Sequence, residues 1–178
     1  MRTIKFRGKD IKTGEWVYGD LHIMCDRPHI HTEQTAYPYA GRRNFVDPDT
    51  IGQFTGLTDK NGKEIYEGDI IKFYDMDTYC INPDCEPHLL GYGSCLVERE
   101  EVVIFDDCVF GIDDEFHPIR DLMSCGFRDF DLEDLKNYEN DPYFDNNGYD
   151  IDSIIGVEVI GNIYDSPDLI EKGGNYDD

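Results

Sequence analysis

At the start of the chain, Ile4 and Phe6 are interleaved with Lys5 and Arg7. That period of two is the pattern of a half-buried β-strand. Thr13-Gly14 follows as a turn, and Trp16-Val17-Tyr18-Gly19-Asp20-Leu21 reads as the returning strand. Residues 1–24 therefore predict a β-hairpin. A second is predicted between Val46 and Phe73. There Thr50–Thr55 is a strand, Thr58–Lys63 carries turn chemistry around Asn61-Gly62, and Ile65-Tyr66 returns. Gly68-Asp69 then steps into a further strand, Ile70–Phe73, as happens where a small barrel turns a corner.

The two hairpins share a design. Phe6, Gly8, Lys12, Gly14, Val17 and Tyr18 recur 48 residues later as Phe54, Gly56, Lys60, Gly62, Ile65 and Tyr66. Gly19-Asp20-Leu21 recurs, one residue later still, as Gly68-Asp69-Ile70. Turn chemistry converges readily, but the aromatic, the glycines and the tyrosine together point to one unit used twice.

Between the hairpins, residues 25–45 read as a long irregular excursion with a short strand at Ile30. Residues 74–95 hold Pro83, Pro87, Gly91 and Gly93 and read as an inserted loop. Leu96–Phe105 is a strand, Asp106-Asp107 a turn, and Cys108–Ile112 its partner. Residues 114–150 form a second insertion, acidic and aromatic. Within it, Asp129 or Asp131 caps a short helix carrying Leu132, Leu135 and Tyr138 on one face. Ile154–Ile163 is the last strand, and Ser166-Pro167 starts a short helix before a frayed tail at 171–178.

The fold class predicted is mainly β: one domain over 1–178, a small partly open β-barrel built from the repeated hairpins, with loop insertions and one or two short helices. The 96–112 hairpin and the 154–163 strand close it. The predicted core is Phe6, Trp16, Tyr18, Ile51, Phe54, Ile65, Tyr66, Ile70, Phe73, Val103, Phe105, Phe110, Val157, Val159 and Ile163.

Charge changes the picture. The formal net charge is −23. Residues 1–73 carry 11 Lys/Arg and 11 Asp/Glu, whereas residues 74–178 carry 5 and 28. The whole excess therefore sits in the second part. Such a field repels nucleic acid and anionic lipid and attracts cations or basic protein surfaces, although its ordinary use is solubility. With 12 Tyr and 10 Phe the chain has the material for a core. No apolar run reaches the roughly 20 residues of a membrane span. The opening Met1-Arg2-Thr3-Ile4-Lys5-Phe6 has no signal-peptide core. The expected location is the cytoplasm, where the six cysteines are thiols.

Residues 2–20 (RTIKFRGKDIKTGEWVYGD), residues 46–73 and the closing Val159-Ile160-Gly161-Asn162-Ile163-Tyr164 resemble the YopX family of phage and prophage proteins. Gly52-Gln53-Phe54-Thr55-Gly56-Leu57 and Tyr66-Glu67-Gly68-Asp69-Ile70 carry the resemblance most specifically. Val102-Val103-Ile104-Phe105 and Phe110-Gly111 are similar to that family's middle hairpin. The resemblance thins across 25–45, 74–95 and 114–150. It implies a mainly β fold, a phage or prophage origin and a cytoplasmic site in the bacterial host. It implies no activity and no catalytic residues.

Cys80, Cys85, His88 and Cys95 are spaced C-x4-C-x2-H-x6-C, a set of donor types that binds zinc. The spacing departs from the usual paired C-x2-C arrangement, so ordinary thiols and no cofactor are the expected reading and zinc is the alternative. Cys25, His29 and His31 supply donor types too, and on a strand His29 and His31 would share one face, but a solvated loop is the expected reading. The carboxylate clusters lack the ligand order of a calcium-binding EF-hand loop. No nucleophile elbow or phosphate-cradling loop is present. The expectation is a non-enzymatic protein that binds a host or phage protein, itself conceivably a nucleic-acid binder captured by carboxylates that imitate phosphates. The contact residues expected are Asp129, Asp131, Glu133, Asp134, Tyr143 and Phe144, among the acids and aromatics of the second insertion. Exposed strand edges also admit a homo-oligomer. The alternative is a metal-dependent or hydrolytic enzyme using the acidic half.

Overall fold

A computed structural model describes residues 3–32, 43–80, 92–106, 109–112, 117–118, 144–145, 147–149 and 156–173. Its strands are β1 (Phe6–Lys9), β2 (Trp16–Met24), β3 (Arg27–His31), β4 (Arg43–Phe45), β5 (Gly52–Thr58), β6 (Glu64–Tyr66), β7 (Asp69–Cys80), β8 (Tyr92–Asp106), β9 (Val109–Ile112), β10 (His117–Pro118), β11 (Phe144–Asp145) and β12 (Glu158–Asn162). A 3-10 turn covers Pro48–Thr50, and helix α1 spans Pro167–Gly173.

The strands form two sheets. The first runs in the order β4-β3-β2-β1-β5-β6 and the second β10-β9-β8-β7-β12, with β11 beside β8. All pairings are antiparallel except β11 with β8. The mainly β architecture is as expected; the strands form two sheets, and no ladder among the described residues closes them into a barrel. They meet at Gly68, whose amide donates to Val103 O at 2.8 Å and whose carbonyl accepts from Ile163 N at 3.0 Å.

Both predicted hairpins form, and their turns use the same chemistry. Asp10 Oδ1 accepts from the amides of Lys12 (2.8 Å) and Thr13 (3.1 Å). Asp59 Oδ1 accepts from those of Asn61 and Lys63, both at 2.8 Å. Gly14 and Gly62 close the turns at φ +72° and +82°, a left-handed conformation that glycine adopts without steric penalty. The units then diverge. β2 runs on to Met24, whereas β6 stops at Tyr66.

The excursion expected at 25–45 is partly strand. Cys25 and Asp26, at φ +50° and +59°, make a two-residue turn that pairs β2 with β3, and β4 then adds at the edge. The loop expected at 74–95 is likewise shorter. β7 continues to Cys80 and β8 begins at Tyr92, so pairing runs unbroken from Ile70↔Val102 to Cys80↔Tyr92. Pro83 and Pro87 fall beyond that ladder, outside the described residues. The helix expected around 129–138 also lies outside them.

The core lies between the second sheet and the β6 end of the first. Ile65, Ile71, Phe73, Val103, Phe110, Ile112, Val157 and Val159 pack as one cluster. At about 1.5–3 kcal/mol for each large apolar side chain fully buried, this cluster is the main source of cohesion. β7 buries Ile70, Ile71, Phe73 and Tyr74, so both its faces are covered. Several expected core residues lie elsewhere. Tyr18 and Phe105 are exposed, and Phe6, Trp16, Ile51 and Ile163 are half-buried. Phe105 sits at the end of the β8–β9 hairpin, its ring centre 4.7 Å from that of Phe110.

In β1 and the residues before it, burial does not follow the apolar alternation. Ile4 is 62% exposed, whereas Arg7 is 5% exposed. The reason is a partner far away in sequence. Arg7 Nη1 donates to Asp69 Oδ1 at 2.5 Å and Nη2 to Glu67 O at 3.0 Å. The guanidinium also stacks on Trp16 (4.7 Å to its ring centre) and Tyr66 (5.1 Å). Asp69 Oδ2 accepts from the Tyr66 amide at 2.8 Å. Burial pushes the Asp69 carboxyl above its ordinary range, while Arg7 and that amide pull it back down. A charge buried this deeply is tolerable only with such partners.

Candidate functional site

Residues directly opposite each other in an antiparallel pair lie on the same face of the sheet. Arg7↔Tyr18, Asp20↔His31, His22↔His29, His29↔Phe45 and His31↔Arg43 therefore define one face of β1–β4. At the β1 end this face is a ladder of cations and rings. Lys5 Nζ lies 5.7 Å from the Tyr18 ring centre and 5.9 Å from that of Tyr66, and it donates to Glu64 at 2.6 Å. Tyr66 OH donates to the same Glu64 at 2.7 Å. The bond from Lys5 holds the Glu64 carboxyl below its ordinary range. Burial, then the bond to Glu64, pushes the Tyr66 hydroxyl up. Trp16 Nε1 donates to Asp165 at 2.6 Å, and Lys9 pairs with the same carboxylate. Bonds from Lys9, Asn162 and Trp16 bring Asp165 down to about 2.

Farther along the same face, His22, His29 and His31 stand together. Ring centres are 4.6 Å apart for His22–His31, 5.1 Å for His29–His31 and 5.7 Å for His22–His29. His29 and His31 are buried, at 4% and 8% exposure, and His22 is exposed. Nδ1 of His29 is buried without a hydrogen-bond partner among the described residues. Burial first, then His22, His29 and Arg43, lowers the His31 ring below its ordinary value, with Asp20 acting in the opposite sense. A cleft of about 390 Å³ opens beside Asp20 and His31, walled by Ile4, Lys5 and Tyr18. Among the described residues, no group of three or more His, Cys, Asp or Glu side chains could hold a metal ion.

The spacing of His29 and His31 is visible in the sequence. Nothing in the sequence marks His22, because its place opposite His29 depends on the β2–β3 register. Of the cysteine set, Cys85 and His88 lie outside the described residues. Cys80 pairs with Tyr92 and Cys95 with Asp77, so the two cysteine backbones are three residues out of register, roughly 10 Å along the ribbon. Asp129, Asp131, Glu133, Asp134 and Tyr143 lie outside the described residues. Phe144 is half-buried in β11, opposite Ser94. Among the described residues, no helix is long and apolar enough to cross a membrane.

No curated protein matches the chain. A similar solved structure is that of protein EF1440 from Enterococcus faecalis, 22% identical, with 96% of this chain and 99% of that one covered and a TM-score of 0.43. The sequence model described as YopX protein matches residues 5–171. That span takes in both hairpins, the β7–β8 ribbon, the cluster of histidines and the last strand, and this chain belongs to the YopX family.

Proposed function

We propose that this protein is a non-enzymatic phage or prophage accessory protein that acts in the cytoplasm of the bacterial host by binding a basic protein. The contact is made by the acidic, aromatic second part. One observation carries this reading: apolar anchors sit where the charge excess sits. Phe105 and Val109 are 45% and 42% exposed at the end of the β8–β9 hairpin. They flank the exposed Asp106, in the half of the chain that holds 28 Asp/Glu against 5 Lys/Arg. Carboxylates alone keep a protein soluble. Carboxylates around exposed apolar side chains give a partner both steering and a desolvated contact. A nucleic-acid-binding protein is the natural basic partner, because spaced carboxylates imitate a phosphate backbone, and the same field repels nucleic acid itself.

The test is capture of host proteins on the immobilised chain at roughly 0.05 M and 0.5 M salt, with and without Phe105→Ser/Val109→Ser. A basic protein retained only at low salt, and lost with the double variant, is the expected result. No retained protein, or retention unaffected by the variant, removes the reading. Sedimentation of the purified chain shows whether the same hairpin end joins two copies instead.

A further inference from the structure

We propose that the open edge of β2, from Asp20 to Met24, pairs antiparallel with the same five residues of a second copy of this chain, joining the two first sheets across a two-fold axis. This surface is on the first sheet and independent of the protein contact proposed for the second part, so either can fail alone.

The reach of β1 sets the opening. β1 runs beside β2 only from Lys9↔Trp16 to Phe6↔Gly19. Before Phe6 the chain follows β5, and Lys5 O accepts from Phe54 N at 2.8 Å. The cleft lined by Thr3, Ile4 and Lys5 and by Tyr18, Gly19 and Asp20 opens where the two strands part. Beyond it, Asp20–Met24 pair with β3 on one side and, among the described residues, with nothing on the other. Every second residue of a strand directs its N–H and C=O at such an edge, which is a template for another strand. The strands that end each sheet are protected. β4, β6 and β10 have three residues or fewer. On β12 the Val159 amide donates to Asp59 Oδ2 at 3.1 Å and the Val159 carbonyl accepts from Lys63 Nζ at 3.5 Å. The β2 edge reads DLHIM, with neither lysine nor proline, and Ile23 and Met24 are 73% and 41% exposed.

Self-complementarity and charge select a second copy as the occupant. β1 blocks the position beside Gly19, and the Cys25-Asp26 turn ends the strand at Met24. The register that pairs every open residue therefore sets Asp20 opposite Met24, Leu21 opposite Ile23 and His22 opposite His22. That register is its own two-fold image, as an isologous contact requires. It lines up Leu21 and Ile23 of both copies as one apolar stripe, beside Ile30 and Pro28, their neighbours on β3. It covers Ile23, the most exposed large apolar side chain among the described residues. The Cys25-Asp26 turn of the second copy then falls at the cleft, and its Asp26 carboxylate approaches the Lys5 ammonium. Residues 1–73 carry 11 Lys/Arg and 11 Asp/Glu, so two copies meet through this part without net repulsion. A basic partner is drawn instead to the 28 Asp/Glu of residues 74–178.

The test is sedimentation of the purified chain at about 1–100 µM, where a monomer–dimer equilibrium is expected. Ile23→Lys puts a charge from each copy on the new edge and should weaken the dimer at least tenfold, with the far-ultraviolet circular dichroism unchanged. Phe105→Ser/Val109→Ser should leave the dimer as it is. A second measurement reads the register directly. Residues opposite each other in an antiparallel pair have Cα atoms about 4.5–5.5 Å apart, within disulfide reach. Mild oxidation of His22→Cys/Cys25→Ser should therefore give a cross-linked dimer that is absent from Cys25→Ser alone and is lost when Ile23→Lys is added. A monomer at about 100 µM, a dimer indifferent to Ile23→Lys or lost in Phe105→Ser/Val109→Ser, or a dimer that does not cross-link through residue 22 would overturn the assignment.

Discussion

Replacing Arg7 by Met removes the most constrained charge in the first sheet. Asp69, 1% exposed, then keeps the bond from the Tyr66 amide as its one hydrogen bond among the described residues. The variant also loses the bond to Glu67 O and the stacking on Trp16 and Tyr66. Breaking a buried pair from one side costs about 3–5 kcal/mol, because the remaining charge has no compensation. With a urea dependence of about 2 kcal/mol per M, the unfolding midpoint should fall by roughly 1.5–2.5 M at pH 7. Far-ultraviolet circular dichroism is the primary signal, since the single Trp16 touches the substituted side chain. Without Arg7 the Asp69 carboxyl moves further up, so the deficit should shrink as the pH falls and the group becomes neutral. The double variant Arg7→Met/Asp69→Leu should recover most of the loss, since a well-packed apolar pair replaces a buried ion pair at little cost. A single-variant loss under about 1 kcal/mol, or a double variant worse than the single one, would refute the claim that this pair holds β1 to β7.

Other outcomes follow from the same geometry. In Gly19→Ala the new Cβ would lie 1.9 Å from His31 O, so melting should drop by roughly 10 °C, against about 3 °C for Gly14→Ala, where nothing lies within 4 Å; equal drops would contradict the close approach of β2 and β3. His31 has a depressed folded-state value, so the unfolded chain binds more protons just below its ordinary 6.5. Stability should therefore fall as pH drops below about 6.5, and His31→Gln should flatten the slope in urea midpoints taken from pH 7.5 to 5.5. Asp59→Ala removes the acceptor of the Asn61, Lys63 and Val159 amides, the last at 3.1 Å, and should cost about 3 kcal/mol by denaturant unfolding. A loss under 1 kcal/mol would mean that β12 is held without Asp59.

The hairpins are legible because their turns are local. An Asp and a Gly a few residues apart fix each one, and neither depends on what the strands later touch. The Cys25-Asp26 turn is not legible, since Cys is an unusual choice for left-handed backbone and neither Gly nor Asn marks the pair. Spacing alone therefore shows β3 only as a point at Ile30, and gives no sign that His22 is the neighbour of His29. The loop read at 74–95 from its prolines and glycines is too long at both ends, because residues 74–80 pair across the ribbon with residues 92–98.

By itself the sequence determined the strand-rich class, the repeated turn chemistry, the family and the concentration of negative charge in the second half, all of which are properties of neighbours in the chain or of composition. Only the tertiary structure decided which face of β1 is inside. Apolar alternation put Arg7 in solvent, but a carboxylate 62 residues away and two aromatic rings made burial the better solution. It likewise decided that three histidines share one face, because cross-strand register is set by pairing between strands and cannot be read from spacing within one.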